Sequence, residues 1–184
     1  MRVPLFLLLF SVAIVLGSVV SAGPVFAPIL AIGTLMIVAS LLLLISQMLR
    51  RPQRWIVVDG SNVMHWQGEV AALETVTVVL NTLIDSGFRP VIWFDANVGY
   101  KVGDRFMGDA ALARHLPVSQ RQIMVSPKGI PADPLLLECA AELKAKVVTC
   151  DRFRDWADQF PQVNEPGFLL RGQVVNGKAK MDMK

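Results

Sequence analysis

The sequence is short of the residues that most metal and cofactor sites need, since its 184 residues include two cysteines and two histidines. Two thiols by themselves cannot make a four-ligand zinc site. Cys139 and Cys150 have apolar neighbours, so we expect both to be reduced and buried. The sequence has no Gly-x-Gly-x-x-Gly fingerprint after its first predicted strand and no Walker A loop. These absences exclude a dinucleotide or P-loop site, and we therefore expect no nucleotide cofactor.

Charge is missing from one long segment, because no acidic or basic residue occurs from residue 3 to residue 49. One membrane crossing takes roughly 20 apolar residues, so this segment is long enough for two helices and a turn. We predict that residues 1–49 form a transmembrane helical hairpin. Its helices are expected at about 3–22 and 28–49, with a turn at Gly23-Pro24.

Arginines flank this segment on both sides, with Arg2 before it and Arg50, Arg51 and Arg54 after it. Because positive residues stay on the cytoplasmic side, both ends of the hairpin are expected inside the cell, at the inner or plasma membrane. Residues 50–54 would then be a short basic linker to a cytoplasmic domain. In the alternative, the first helix is a cleaved secretory signal, and the second helix still leaves the remainder in the cytoplasm.

The remaining residues, 55–184, have the size of one domain. The whole chain has 18 Lys and Arg against 15 Asp and Glu, so a nucleic-acid surface would have to come from local clusters of charge. Short apolar runs alternate with helical periodicity, which is typical of a parallel α/β sheet. The predicted strands are 55–58, 90–94, 122–125 and 146–150, the predicted helices are 69–85, 104–115 and 133–146, and a small β-ribbon is expected around Asn176-Gly177.

Aspartates stand where the predicted strands end. Asp59, Asp95 and Asp151 each follow a strand, Asp133 opens a helix, and Asp155 would share a helical face with Asp151. The carboxyl ends of parallel strands lie on one edge of the sheet, so these carboxylates should converge there. A hard divalent cation would relieve their repulsion, and oxygen ligands favour Mg²⁺ or Mn²⁺ over Zn²⁺. Such sites are typical of phosphodiester hydrolysis.

Each of these acids also suits an ordinary structural role. Asp59 and Asp151 could be turn residues, Asp133 could cap its helix, and Asp155 could form a surface ion pair. Asp95 could likewise be a cap. It is the coincidence of acids after three separate strands that favours a site over these alternatives.

Three segments resemble a known family. They are Val58-Asp59-Gly60-Ser61-Asn62-Val63, Ala132-Asp133-Pro134-Leu135-Leu136 and Thr149-Cys150-Asp151-Arg152-Phe153-Arg154-Asp155-Trp156. Together they are similar to the NYN branch of PIN-like ribonucleases, and the closest pattern is that of the Regnase-type endoribonucleases. The resemblance covers about residues 54–175. It implies a PIN-like three-layer sandwich with a central parallel sheet, in which residues 55–184 are the nuclease domain.

In that family a Mg²⁺-dependent endonuclease cuts single-stranded or loop RNA. The resemblance implies that Mg²⁺ or Mn²⁺ and its waters are held by Asp59, Asp133, Asp151 and Asp155. It also implies that Asn62 orients Asp59 or a bound water. We therefore expect a membrane-anchored endoribonuclease whose substrate is RNA.

This chain departs from the family pattern in ways that keep other functions open. The family often has two acids where Ala132-Asp133 stands here, so a second metal is in doubt. The CCCH zinc finger is absent, and Asp95 has no firm counterpart. One alternative is a non-catalytic, membrane-tethered RNA-binding or scaffold module. Another is a metal-dependent phosphohydrolase that acts on DNA or small nucleotides.

Basic and aromatic side chains near the acids are candidate RNA contacts. We expect Arg105, Lys128 and Arg152 to contact phosphates, since they lie closest in sequence to the acidic segments or their loops. Tyr100 and Trp66 are candidates for stacking on unpaired bases. A homodimer is a further expectation that the sequence leaves open.

Overall fold

The computed structural model describes residues 2–20, 26–49 and 53–182. The chain divides into two compact units, Met1–Pro52 and Gln53–Lys184. The linker residues Arg50 and Arg51 lie outside the described residues.

The N-terminal unit is a pair of helices, α1 (Arg2–Val20) and α2 (Phe26–Leu49), that pack against each other. The helices approach each other closely at Gly33 of α2, where an added Cβ would lie 2.6 Å from Val15 Cγ2 of α1. The missing side chain therefore lets the two backbones approach. The predicted turn at Gly23-Pro24 lies outside the described residues.

Within the described part of the chain, one stretch is long and apolar enough to cross a membrane. It is Pro28–Ser46 in α2, 19 residues with a mean hydropathy of 2.7. The apolar stretch of α1, Leu5–Gly17, is shorter than a crossing requires. The structure thus contains one candidate span near the N-terminus, and a second span in α1 stays a prediction.

The C-terminal unit is built on a five-stranded parallel sheet. Its strands are β1 (Arg54–Asp59), β2 (Phe88–Phe94), β3 (Ile123–Val125), β4 (Lys146–Val148) and β5 (Leu169–Leu170). The order across the sheet is β3-β2-β1-β4-β5, so β1 is the central strand. Because every pairing is parallel, the carboxyl ends of all five strands lie on one edge.

Helices and a hairpin complete this unit. The helices are α3 (Gly60–Val63), α4 (Leu73–Asp85), α5 (Val98–Val102), α6 (Asp109–Leu112) and α7 (Ala132–Leu143). Short 3₁₀ turns lie at Gln120–Gln122, Arg154–Trp156 and Pro161–Asn164. β6 (Gly172–Val175) and β7 (Lys178–Met181) form the antiparallel hairpin that Asn176-Gly177 predicts.

The side chains of β1 alternate between two buried layers. Ile56 and Val58 pack in the layer that contains Leu80 of α4, whereas Val57 packs in the layer that contains Leu137 of α7. Complete burial of one such side chain stabilises the fold by roughly 1.5–3 kcal/mol. A continuous apolar strand covered on both faces therefore places the sheet between two helical layers. This is the predicted PIN-like α/β sandwich, and the prediction is confirmed.

One predicted helix is wrong, because residues 104–115 do not form a continuous helix. After α5 the chain runs through bends and irregular backbone to Gly108, and α6 is a single turn. Gly99 of α5 provides the physical reason, since an added Cβ there would overlap the carbonyl oxygen of Arg105. The chain folds back tightly over α5, and this contact outweighs the helical periodicity of the segment.

Candidate active site

Asp59 is the last residue of β1 and the N-cap of α3, and its side chain is buried. Its Oδ1 accepts a hydrogen bond from the backbone N–H of Asn62 at 3.0 Å. Its Oδ2 accepts one from the Thr149 hydroxyl at 2.9 Å. Two donors, one from α3 and one from the segment after β4, thus fix this carboxylate at the centre of the sheet's carboxyl edge.

Burial raises the pKa of Asp59 from its ordinary value of 3.8 to about 6. The hydrogen bonds from Thr149 and Asn62 lower this pKa, because they favour the charged form. The nearby carboxylates of Asp133 and Asp95 raise it further. The balance leaves a buried acid whose charged form a cation would stabilise strongly.

Asp133 lies in the first turn of α7, within electrostatic reach of Asp59. The residue that precedes this helix is Pro131, so the expectation that Asp133 is the helix cap is wrong. Partial burial raises the pKa of Asp133, and the charges of Asp151 and Asp95 raise it further. A hydrogen bond from the Trp156 side chain lowers this pKa, so the carboxylate of Asp133 has a partner outside α7 and does not cap the helix.

Asp95 directly follows β2, the neighbour of β1 in the sheet. Its charge raises the pKa of both Asp59 and Asp133, so it lies within electrostatic reach of the two. Its backbone N–H donates to Ser61 Oγ at 2.9 Å, and Lys101 Nζ lies 3.8 Å from its Oδ2. The family resemblance assigns Asp95 no role, but its position after the strand adjacent to β1 is the sequence signal that places it with the other acids.

The segment after β4 positions Asp151. The Thr149 hydroxyl, which donates to Asp59, also accepts a hydrogen bond from the backbone N–H of Asp151 at 3.0 Å. Oδ1 of Asp151 accepts hydrogen bonds from the backbone N–H groups of Arg152 and Phe153. This exposed carboxylate is thus held by its own turn, and its charge acts on Asp133. We call the electrostatically linked acids Asp59, Asp95, Asp133 and Asp151 the aspartate cluster.

Asp155 is placed differently from the sequence expectation. No helix spans 151–155 in the described structure, because Phe153 adopts a left-handed conformation with φ of 47° and a 3₁₀ turn begins only at Arg154. The expectation of a shared helical face for Asp151 and Asp155 is therefore wrong. Both acids instead line one open depression, together with Asn62 and Arg152.

Asn62 orients Asp59, but through its backbone N–H. Its side-chain Oδ1 accepts hydrogen bonds from Trp66 Nε1 at 2.8 Å and from the backbone N–H of Cys150 at 2.9 Å. The Asn62 side chain therefore ties α3 to the segment after β4. Trp66 is partly buried against the core, so the structure does not present it as a free ring for stacking.

The metal site is supported by its donor chemistry and not by a preformed cage. Among the described residues, no group of three His, Cys, Asp or Glu side chains is placed to share one ion directly. Mg²⁺ commonly keeps several waters and binds through one or two carboxylates, so the aspartate cluster fits this ion without such a cage. The assignment of Asp59, Asp133, Asp151 and Asp155 as metal ligands stays a prediction.

The three predicted phosphate contacts occupy different places. Arg152 lies beside Asp151 in the open depression, and Lys128 lines a groove at the carboxyl edge. Arg105 lines a separate depression that none of the predicted acids lines. The expectation that both cysteines are buried is wrong. Cys150 is exposed at the end of β4 with its thiol donating to the Gly172 carbonyl, and Cys139 is half-buried.

The parallel sheet of this protein, with aspartates at its carboxyl edge, is typical of PIN-like α/β domains, and this is the class to which its fold belongs. The family model described as the Zc3h12a-like Ribonuclease NYN domain matches residues 52–166. This range is more than half of the chain, and the chain therefore belongs to that family. The comparison with curated proteins found no match.

Two solved structures share the fold. The crystal structure of nuclear proteinaceous RNase P 2 from Arabidopsis thaliana is 20% identical, with a TM-score of 0.56, over 76% of this chain and 31% of that chain. A second structure, of Arabidopsis thaliana nuclear protein-only RNase P 2, is 22% identical, with a TM-score of 0.52, over 72% and 30%. This chain thus matches about a third of their length, and at this identity the likeness concerns the fold alone.

Proposed function

We propose that this protein is a membrane-anchored, Mg²⁺-dependent endoribonuclease that hydrolyses phosphodiester bonds of single-stranded or loop RNA. The observation that carries the proposal is the aspartate cluster. Its buried member, Asp59, is fixed by two hydrogen bonds and is electrostatically linked to Asp95 and Asp133. Membership of the NYN ribonuclease family supplies the reaction class.

The cluster suits a hard divalent ion, because every candidate donor is a carboxylate oxygen. Asp59, Asp133, Asp151 and Asp155 would together hold Mg²⁺ or Mn²⁺ and its waters. When bound, the ion polarises the phosphate, lowers the pKa of a bound water and stabilises the leaving oxygen. Asp95 adds negative potential beside the first two acids, which is a role that the family pattern does not assign.

The protein's own groups prepare this site before RNA arrives. The Thr149 hydroxyl and the Asn62 N–H hold the Asp59 carboxylate in one orientation, so little reorganisation is needed during the reaction. Burial limits the competition of bulk water for the Asp59 oxygens. The Arg152 side chain, which lines the open depression beside Asp151, would contact a phosphate of the substrate.

The test uses the full-length protein in detergent micelles and a circular single-stranded RNA. A circular RNA has no ends, so its conversion to a linear form reports an endonucleolytic cut. We expect the wild type to linearise it in Mg²⁺ or Mn²⁺. EDTA or Asp59→Asn should lower the rate by at least about 100-fold, the scale of losing one charge-stabilising group in an active site.

Asp85→Asn is the matched control, because Asp85 is an exposed aspartate at the end of α4. This variant should cut at the wild-type rate. Intact RNA bound by the wild type in excess Mg²⁺ at neutral pH would contradict the proposal and favour a non-catalytic RNA-binding module. Faster turnover of DNA or small nucleotides than of RNA would favour the phosphohydrolase alternative.

The membrane anchor is part of the proposal. Pro28–Ser46 would be one span and α1 a second, and the domain that begins at Gln53 would lie in the cytoplasm, at the inner or plasma membrane. The hydropathy of α2 and the arginines that flank the apolar segment support this arrangement. Anchoring would restrict the nuclease to RNA near the membrane. Deletion of residues 1–49 should then change the set of RNAs that are cut in cells, and an unchanged set would contradict this role.

A further inference from the structure

A groove lies at the carboxyl ends of β2 and β3, next to the aspartate cluster. Its volume is about 930 Å³, which is in the size range of ligand sites. We call it the aromatic groove, and its walls include Trp93, Tyr100, Phe106, Met124, Lys128 and Leu135. The proposed function assigns no role to this groove as a whole.

Two aromatic rings of the groove are exposed, and they lie on backbone segments that pack closely against each other. Tyr100 is 64% exposed and Phe106 is 62% exposed, although their near neighbours Val98 and Met107 are buried in the core. Gly99 permits this arrangement, because an added Cβ would overlap the backbone of the segment that leads to Met107. Both rings line the same groove, and contiguous exposed apolar surface of this kind is typical of interaction sites.

The groove lies at the same edge of the sheet as the aspartate cluster and begins beside Asp95. Ala96 and Asn97 line it and directly follow Asp95 in the chain. Leu135 of α7 also lines the groove, so the helix that carries Asp133 borders it. An RNA strand whose reacting phosphate lies at the cluster would therefore extend into the groove.

The charged side chains that line the groove favour one orientation of the RNA backbone within it. Lys128 is exposed on the wall formed after β3 and can pair with a phosphate. Asp109 also lines the groove, and hydrogen bonds from the Gln120 amide and from backbone N–H groups lower the pKa of this acid. Asp109 therefore stays charged and repels phosphate, so the strand's backbone should follow the Lys128 side while its bases face the rings.

We propose that the aromatic groove is a subsite for unpaired bases of the RNA substrate, with one base stacked on Tyr100 and another on Phe106. Lys128 contacts the phosphate backbone beside them. The inference rests on the proposed function for the identity of the strand, and it extends that function by naming the contacts that select single-stranded RNA. Aromatic faces accept any base, so the subsite selects unpaired RNA with little sequence preference.

The test measures the fluorescence anisotropy of a labelled single-stranded RNA of about 12 nucleotides, within the site sizes of strand-binding surfaces. The protein is the full-length chain in detergent with Asp59→Asn and Mg²⁺, and gel electrophoresis checks that the RNA stays intact. Adding Tyr100→Ala or Phe106→Ala should weaken binding by about 5- to 30-fold each. Binding does not require cleavage, so this result is independent of whether the wild type is an active nuclease.

Variants at one position separate stacking from simple apolar contact. Phe106→Tyr keeps an aromatic face and should keep RNA binding, whereas Phe106→Leu keeps most of the apolar area and should lose about as much binding as Phe106→Ala. Val70→Ala is the matched control, since Val70 is 83% exposed and does not line the groove. It should bind RNA like the parent protein.

Three outcomes would overturn the inference. If Tyr100→Ala and Phe106→Ala bind RNA as tightly as the Val70→Ala control, the groove does not hold bases. If they bind RNA normally but change the protein from a dimer to a monomer in sedimentation equilibrium, the groove is a contact between two copies of this chain. Photocrosslinks from 4-thiouridine in the RNA should map to the Tyr100 or Phe106 peptides, and crosslinks confined to other peptides would also count against it.

Discussion

At the scale of single residues, Asp59 combines burial with a negative charge that few neighbours balance. The cation within ion-pair distance of an acid of the cluster, among the described residues, is Lys101, which lies beside Asp95. Asp59 relies on two hydrogen bonds instead. A carboxylate in this environment is destabilised in its ionised form. Burying the ionised carboxylate of Asp59 therefore costs free energy relative to leaving it in water. Acids in such environments are typical of functional positions.

This burial predicts a pH-dependent stability that Asp59→Asn should remove. The pKa of Asp59 is raised in the folded protein to about 6, so the fold binds this proton more tightly than the unfolded chain does. In EDTA, the contribution of Asp59 to stability is greatest below pH 3.8 and is lost as the pH rises through about 6. The loss amounts to about 2–3 kcal/mol at neutral pH. Asp59→Asn should therefore gain stability relative to the wild type between pH 5 and pH 7.5.

Thermal unfolding of both proteins in EDTA at these two pH values measures this gain. Mg²⁺ should raise the Tm of the wild type at pH 7.5 and should raise that of Asp59→Asn much less, because a ligand stabilises the state that binds it. Asp85→Asn serves as the control and should follow the wild type. A stability difference between Asp59→Asn and the wild type that does not change with pH would contradict the raised pKa.

The location of a site residue could be predicted from the sequence where it depends only on which strand the residue follows. Asp59 and Asp151 follow apolar runs, and this was sufficient to place them on the same edge as Asp133. The role of the Asn62 side chain was not predictable, because both of its hydrogen-bond donors depend on tertiary structure or on the exact turn of α3. One of these donors, Cys150, is 88 positions away.

At the scale of secondary-structure elements, the junction of β1 and α3 depends on a glycine. Gly60 is buried against Phe94 of β2, and an added Cβ would overlap the Phe94 ring, with 2.7 Å to its Cδ1. Phe94 is fully buried in the core, where side chains are close-packed, so a shift of its ring should disturb neighbouring side chains. The close contact brings α3, which supplies the Asn62 N–H, against the sheet.

Gly60→Ala should therefore lower the free energy of unfolding by about 1–3 kcal/mol, the usual cost of overpacking a core. Chemical denaturation of the full-length protein in detergent measures this change. Gly68→Ala is the matched control, because no described atom lies within 4 Å of a Cβ added there. The control should change stability by less than about 0.5 kcal/mol. Equal stability of the two variants would show that Phe94 moves aside without cost.

The elements themselves were predictable to different degrees. The strands were found because runs such as Ile56-Val57-Val58 are apolar at every position, as a strand covered on both faces must be. The predicted helix over 104–115 failed because periodicity cannot show a tertiary contact. The chain folds back over Gly99, and the aromatic groove depends on this close backbone contact.

At the scale of the whole molecule, the membrane orientation can be tested with a native residue. Cys150 is exposed, so a membrane-impermeant maleimide should label it only after cells that express the protein are permeabilised. The reason is that the arginines after α2 favour a cytoplasmic position for the residues that follow. A Gly23→Cys variant, with the new thiol in the predicted turn, should be labelled in intact cells.

Cys150→Ser is the control for this experiment, since it leaves the half-buried Cys139 as the other native thiol. Its labelling after permeabilisation should be weak. Labelling of Cys150 in intact cells would place the nuclease domain outside and would contradict the proposed location. Failure to label Gly23→Cys from outside, with Cys150 labelled from inside, would contradict a membrane crossing by α2.

The global architecture was predictable from the alternation of strands and helices, since right-handed crossovers and parallel strands leave few arrangements. The strand order and the central place of β1 agree with that reasoning. Whether α1 crosses a membrane was not settled by composition, because its described apolar stretch, Leu5–Gly17, is shorter than a typical crossing. Bilayer thickness and helix tilt decide such cases, and neither is encoded in a hydropathy pattern.

The hydrogen bond between Thr149 and Asp59 joins residues that are 90 positions apart. A growing chain is made from its N-terminus at about 5–20 residues per second, so β1 waits for several seconds before β4 exists. The apolar N-terminal helices leave the ribosome earlier still. Under the proposed function, every nascent chain is therefore catalytically silent while it is being translated, and the message that encodes it is not exposed to the chain's own nuclease until the final strands have been made.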